Sequence, residues 1–448
     1  KLIKSLIIMQ VSKYTFLFKG NTDEYYVYNT LSNALAGIDK NTYQTLENKK
    51  ENLSETDFDK DTYEMLANKR FICENEQDEF LVYKAVINSM RSADEFMHLT
   101  IAPTMNCNFR CHYCFEAHKP QTCISEDGMD ALIKNIETHK NLQSITLTWF
   151  GGEPLMALPQ MKRFYDKFMA VWGDKKFSSN IITTAYFIDK QAIQTLKDIR
   201  VTDMQITLDG LKENHNKVKF TDDCADVFSK IIENVDLIYQ EYPEMHITFR
   251  VNLTKQNISD YIPLYKFLTE RYKGKNVGVA PAFVMDRTNK KADKELFFDK
   301  RESAATILSL MWKHKIHSPQ IRYPSKYIYE CAMRNKNAIS IDAEGYVYKC
   351  WEIIGNKKYA IGKLNENGEI VDMDYINYNR QMYGADPLED KTCSKCSYLP
   401  ICSGGCPIQR VQNEFEGWHN NCCTIMKGYL PQFLLTHLAL KKAGFENK

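Results

Sequence analysis

Cys107, Cys111 and Cys114 stand in a C-x3-C-x2-C spacing directly after a strand-like segment. Three thiolates on one tight loop can hold three irons of a cubane cluster. Iron–sulfur clusters normally take four cysteines. A set of three therefore predicts one iron left open, which is where a substrate can bind, as on catalytic zinc. The same loop could hold zinc completed by His112 or His118, and that alternative stays open on spacing alone. A second concentration lies near the C-terminus. Cys331 is followed at a distance by Gly345-x4-Cys350, then Cys393, Cys396, Cys402 and Cys406 form C-x2-C-x5-C-x3-C, and Cys422 and Cys423 come last. A zinc ribbon would also use the C-x2-C pair. Of the 14 cysteines, Cys73, Cys123 and Cys224 fit no group and are expected to be structural.

These residues need elements to position them. From about 98 to 285, six apolar strand-like segments each precede a helical stretch: His98–Pro103, Ser144–Phe150, Asn180–Tyr186, Met204–Asp209, His246–Leu253 and Val277–Phe283. Between the first two, Met129, Leu132, Ile133 and Ile136 fall on one helical stripe, with Ser125 as a candidate N-cap. Alternation of this kind predicts parallel βα units, here closing part of a TIM-like barrel with six strands, with the active site at the strands' C-terminal ends. Candidate site residues sit at those ends. Gly151, Gly152 and Glu153 follow the second strand, where glycines let backbone approach a ligand and the glutamate can accept from an ammonium. Thr184 ends the third strand. Asp209 ends the fourth, although Asp-Gly is also an ordinary turn former. Arg250 and Asn252 share a face of the fifth; the Arg fork suits a carboxylate, or a surface ion pair.

The chain has 448 residues, 58 basic and 57 acidic side chains, a net charge of +1 and 44% hydrophobic residues. It reads as a folded protein of two to four domains with no general field for nucleic acid or anionic lipid. No apolar run reaches the roughly 18 residues of a membrane span, and no signal peptide is evident, so a cytoplasmic location is expected. In a reducing compartment clustered cysteines more often hold metal than form disulfides. Met9 is read as the natural start, residues 1–8 being extraneous. Residues 10–92 read as a separate winged-helix-like domain: strands in Tyr14–Phe18 and Glu24–Tyr28, helical stretches near 30–37, 40–48 and 60–68, then Arg70-Phe71-Ile72 and an acidic stretch. A plain packing domain is the alternative. The partial barrel is assigned 95–300, a bridging segment 301–330, a cysteine-rich domain 331–425 and a C-terminal helix 426–448.

C-x3-C-x-aromatic-C, with Tyr113 as the aromatic, resembles the signature of the radical SAM superfamily. The resemblance implies that S-adenosylmethionine (SAM) chelates the open iron and that one electron cleaves it to a 5′-deoxyadenosyl radical, which abstracts hydrogen from a substrate. Cluster potentials reach about −700 mV, the strongly reducing end that cleaving a sulfonium needs. Gly151-Gly152-Glu153 then resembles the motif for the SAM amino group, and Thr184, Arg250 and Asn252 are implied SAM contacts. Many relatives read Thr-Asn-Gly where this chain has Thr184-Ala185-Tyr186. Asp209, in Thr207-Leu208-Asp209-Gly210, resembles the "SLDG" segment and is the candidate catalytic residue. The C-terminal spacing resembles the SPASM extension, which carries two auxiliary [4Fe–4S] clusters, three clusters in all. Family wiring implies one on Cys331, Cys350 and Cys406, with an uncertain fourth ligand, and one on Cys393, Cys396, Cys402 and either Cys422 or Cys423. Residues 10–92 resemble the recognition domain of ribosomal-peptide maturases, which binds a leader peptide by strand addition. The implied activity is a peptide maturase forming a thioether or carbon–carbon crosslink, with electrons leaving through the auxiliary clusters and a reducing partner such as flavodoxin or ferredoxin. The alternatives are an anaerobic sulfatase-maturating enzyme and a non-enzymatic zinc or electron-transfer protein.

Overall fold

A computed structural model describes residues 8–114, 122–285, 295–316, 323–325 and 330–444. The chain divides into two compact units. One comprises 93–299 and 332–384; the other comprises 1–92, 300–331 and 385–448.

In the unit built on 93–299, strands form where apolar residues alternate. Ile145, Leu147 and Trp149 of Ser144–Trp149 are buried on one face. Six strands lie side by side and parallel in chain order: Phe96–Ile101, Ser144–Trp149, Lys176–Thr183, Val201–Leu208, His246–Leu253 and Val277–Phe283. They overlap the six expected segments, the third running Lys176–Thr183 where Asn180–Tyr186 was expected. Helices cross between them. Helix Glu126–Thr138 buries the expected stripe, and Ser125 Oγ caps it by accepting from Gly128 N at 3.1 Å. Parallel order with helical crossovers puts all six C-terminal ends along one edge. Four further strands extend the sheet beyond Phe96–Ile101, beginning with Ala338–Ile341, which pairs with it in parallel.

In the other unit, Thr15–Lys19, Tyr25–Asn29 and Ala34–Ile38 form an antiparallel meander, and Gln10–Val11 pairs with Ile72–Cys73. The helix expected near 30–37 is thus a turn and a third strand. Asn29 Oδ1 accepts from Leu31 N and Ser32 N, and Asn33 takes φ of 61°, which folds the chain back before a helical turn can form. Helices Lys40–Asn48 and Lys60–Asn68 are as expected, each capped by an aspartate. The acidic stretch opens a 16-residue helix, Glu76–Arg91; Glu76, Asp78 and Glu79 occupy its first turn, where they favour the positive end of the helix dipole. The C-terminal helix is Leu430–Lys442, starting later than expected. Among the described residues no helix is long and apolar enough to cross a membrane.

Candidate active site and cluster-binding cavities

The first cavity, about 320 Å³, lies at the C-terminal ends of the parallel strands. Its lining unites Cys107, Cys111, Cys114 and Tyr113 with Gly151, Gly152, Glu153, Thr184, Arg250 and Asn252. The cysteine loop rests on the Gly-Gly turn. Glu153 N donates to Asn106 O at 2.8 Å and Gly152 N to Thr104 O at 3.2 Å. A Cβ on Gly151 would meet Thr104 O at 2.3 Å, and one on Gly152 would meet Asn106 O at 2.2 Å. The glycines therefore let backbone approach backbone, seating the cysteine loop. Glu153 is fully buried and its carboxylate accepts from Thr183 Oγ1 (2.5 Å), Thr184 N (2.8 Å), Thr184 Oγ1 (2.6 Å) and Leu155 N (3.1 Å). It ties the end of the third strand to the turn after the second.

Asp209, expected as catalytic, lies behind the cavity wall and is 2% exposed. It forms an ion pair with Lys219, accepts from Tyr113 Oη at 2.6 Å, and is approached by Asn252 Nδ2 at 3.4 Å. Burial raises its pKa, but the charge of Lys219 outweighs this and holds the carboxyl below its usual range. This geometry makes Asp209 an anchor for Tyr113 and Lys219. Lys219 lines the cavity instead. Its role left no local signal, because it comes ten residues after Asp209, beyond helix Lys212–Val218. Trp351 and Phe150 were also missed; their rings meet edge to face at 4.9 Å on the cavity wall. Arg250 Nε donates to Asn252 Oδ1 at 3.4 Å, and no carboxylate pairs with Arg250 among the described residues.

A second cavity, about 290 Å³, is lined by Cys393, Cys396, Cys402, Cys422 and Cys423, with Arg410, Asn413 and Lys427. Gly405 takes φ of 78° and packs against Cys422 O, which seats the final cysteine pair beside the C-x2-C-x5-C run. Of the other expected ligands, Cys350 is buried after strand Tyr346–Tyr348, Cys331 is exposed before a short turn at Ala332–Arg334, and Cys406 directly precedes helix Pro407–Glu416. His118 lies outside the described residues.

The three thiols of the first cavity fit a [4Fe–4S] cluster. Among the described residues no three His, Cys, Asp or Glu side chains converge on a point that could hold one metal ion. A cubane instead binds each thiolate at a different iron, so thiols distributed round a cavity suit it. Burial pushes the Cys107 thiol up to about 12 and also raises Cys111 and Cys402. Thiolates at such positions need a bound cation to hold their charge.

Residues 101–268 match the radical SAM superfamily, so this stretch of the chain carries a radical SAM domain. That class binds a [4Fe–4S] cluster and SAM. Similar proteins include the radical SAM cyclopropyl synthase TigE of Paramaledivibacter caminithermalis, 21% identical over 93% of this chain and 94% of its own length. A cysteine-type anaerobic sulfatase-maturating enzyme of Clostridium novyi is 23% identical over 75% of this chain and 94% of its own. Among solved structures, Streptococcus suis SuiB bound to the precursor peptide SuiA covers 93% of this chain and 99% of its own, at 14% identity and TM-score 0.51.

Proposed function

We propose that the chain modifies a ribosomally made precursor peptide, installing a thioether or carbon–carbon crosslink. The observation that carries this reading is the first cavity, where the three-cysteine loop, the Gly-Gly-Glu turn and the lone Arg250 face one space. When bound, the cluster and SAM supply a carbon-centred radical that takes hydrogen from the substrate. The chain's own residues do the positioning. Cys107, Cys111 and Cys114 hold the cluster, and the Gly151-Gly152 turn seats their loop. Glu153 fixes Thr184 at the cavity edge. Arg250 offers its fork to the SAM carboxylate. Asn252 and the Asp209–Lys219 pair hold Tyr113. Phe150 and Trp351 give the mouth an apolar wall, which keeps water from a reactive intermediate.

Residues 10–92 act as a winged-helix-like leader-recognition domain, 95–300 as the partial barrel, 331–425 as a SPASM domain with two auxiliary clusters, with 301–330 bridging and 426–448 as a terminal helix. Similarity along 93% of this chain to a protein named as a cyclopropyl synthase supports carbon–carbon bond formation. The relative from Clostridium novyi supports a second reading, formylglycine formation in a sulfatase, although its match spans 75% of this chain. Anaerobic co-expression with a short reading frame beside the gene decides between them. A peptide lighter by two hydrogens supports crosslinking. A peptide neither bound nor changed, with a sulfatase oxidised in its place, supports the second reading.

A further inference from the structure

We propose that Arg410 raises the reduction potential of the cluster held by Cys393, Cys396, Cys402 and one of Cys422 or Cys423, and that Asp390 moderates it. This rests on reading the second cavity as a cluster site. Arg410 projects from helix Pro407–Glu416 and is 12% exposed. Its fork is immobilised at three points: Nε donates to Ala385 O at 2.8 Å, Nη2 to Asp390 Oδ2 at 2.9 Å and Nη1 to Cys393 Sγ at 3.4 Å. Asp390 is itself fixed to the cysteine loop, since Oδ1 accepts from Thr392 N and Cys393 N at 2.8 Å each. Also lining this cavity, Lys427 Nζ reaches Cys423 Sγ at 3.6 Å and Asn413 Nδ2 reaches Cys422 Sγ at 3.7 Å.

A guanidinium keeps its charge at every relevant pH. A charged N–H donor against a ligand sulfur favours the more electron-rich state of a cluster, because net charge and hydrogen bonds to sulfur set its potential. The carboxylate of Asp390, on the same guanidinium, offsets part of that charge. Arg410 is a positioning residue acting through Cys393, and its effect is read in a potential.

The test uses the full-length chain, reconstituted anaerobically, with Cys107, Cys111, Cys114 and Cys350 replaced by alanine so that the second cavity carries the remaining signal. Iron and sulfide are counted, then the cluster is titrated electrochemically under electron paramagnetic resonance. With iron retained, Arg410→Gln should lower the reduced-to-oxidised ratio at the parental midpoint about tenfold, a downward shift of about 59 mV for a one-electron couple. Arg410→Lys should restore part of it, and Asp390→Asn should shift the potential upward. An unchanged midpoint in Arg410→Gln and Asp390→Asn overturns the proposal. If Arg410→Gln takes up no iron, the sign of the Asp390→Asn shift decides alone. A parental protein without iron and sulfide overturns the cluster reading itself, a failure distinct from an unmoved potential.

Discussion

At the scale of single residues, the chemistry of the first cavity depends on backbone contacts that admit no side chain. Gly152 is the sharpest case, since its Cβ would sit 2.2 Å from Asn106 O. Gly152→Ala should displace the cysteine loop and weaken SAM binding tenfold or more, about 1.4 kcal/mol, checked by calorimetry on reconstituted protein. His215 makes a different prediction. Its buried ring accepts from Asp209 N through Nδ1 at 3.2 Å, and burial pushes its pKa down to about 3. The unfolded chain takes up that proton near the ordinary value of about 6.5, while the folded chain does not until about 3. Stability therefore falls as pH drops between those values. This one group should cost about 2 kcal/mol between pH 7 and pH 5, and His215→Asn should flatten that part of the urea-denaturation profile. The cysteine spacing and the Gly-Gly-Glu turn were legible because each is a local string. The partnership of Asp209 with Lys219 was not, because an ion pair formed across a helix writes no pattern at either end.

At the scale of elements, the six parallel strands and their first crossover helix were legible because periodicity and caps are short-range signals. Ser125 illustrates this: Ser125→Ala should remove one accepted hydrogen bond and cost about 1 kcal/mol, read as a shift in the urea midpoint without a change in slope. The strand Ala34–Ile38 was misread because its fate depends on an asparagine side chain closing a turn before it. Ala338–Ile341 was missed for another reason. All four of its residues are buried, so it shows no alternation, and its partner Phe96–Ile101 lies over 200 residues earlier. A buried lysine supports that strand: Lys349 Nζ donates to Asn335 O at 2.7 Å and Ala338 O at 2.5 Å. Hydropathy alone would place such a side chain outside.

At the scale of the molecule, the described residues before Ser92 share a core with the far end of the chain. Tyr14, Leu31, Tyr83 and Ile87 pack with Leu388 and Leu399. Arg91, 9% exposed, binds both Glu330 (Nη2 to Oε1, 2.9 Å) and Asp386 (Nη2 to Oδ1, 2.9 Å). Arg91→Ala would remove the shared cation from two buried carboxylates and should cost about 3–5 kcal/mol, measured by chemical denaturation, with Arg91→Lys recovering only part.

The shared core also limits how this enzyme can be re-engineered. Tyr83 and Ile87 touch Leu388 and Leu399, and Leu399 lies between Cys396 and Cys402. Cutting the amino-terminal segment away, or exchanging it for another, would strip the apolar backing from the Cys396–Cys402 loop. A chimera would have to transplant both stretches together, so an exchange of the first has to be accompanied by a change in the scaffold around Cys396 and Cys402.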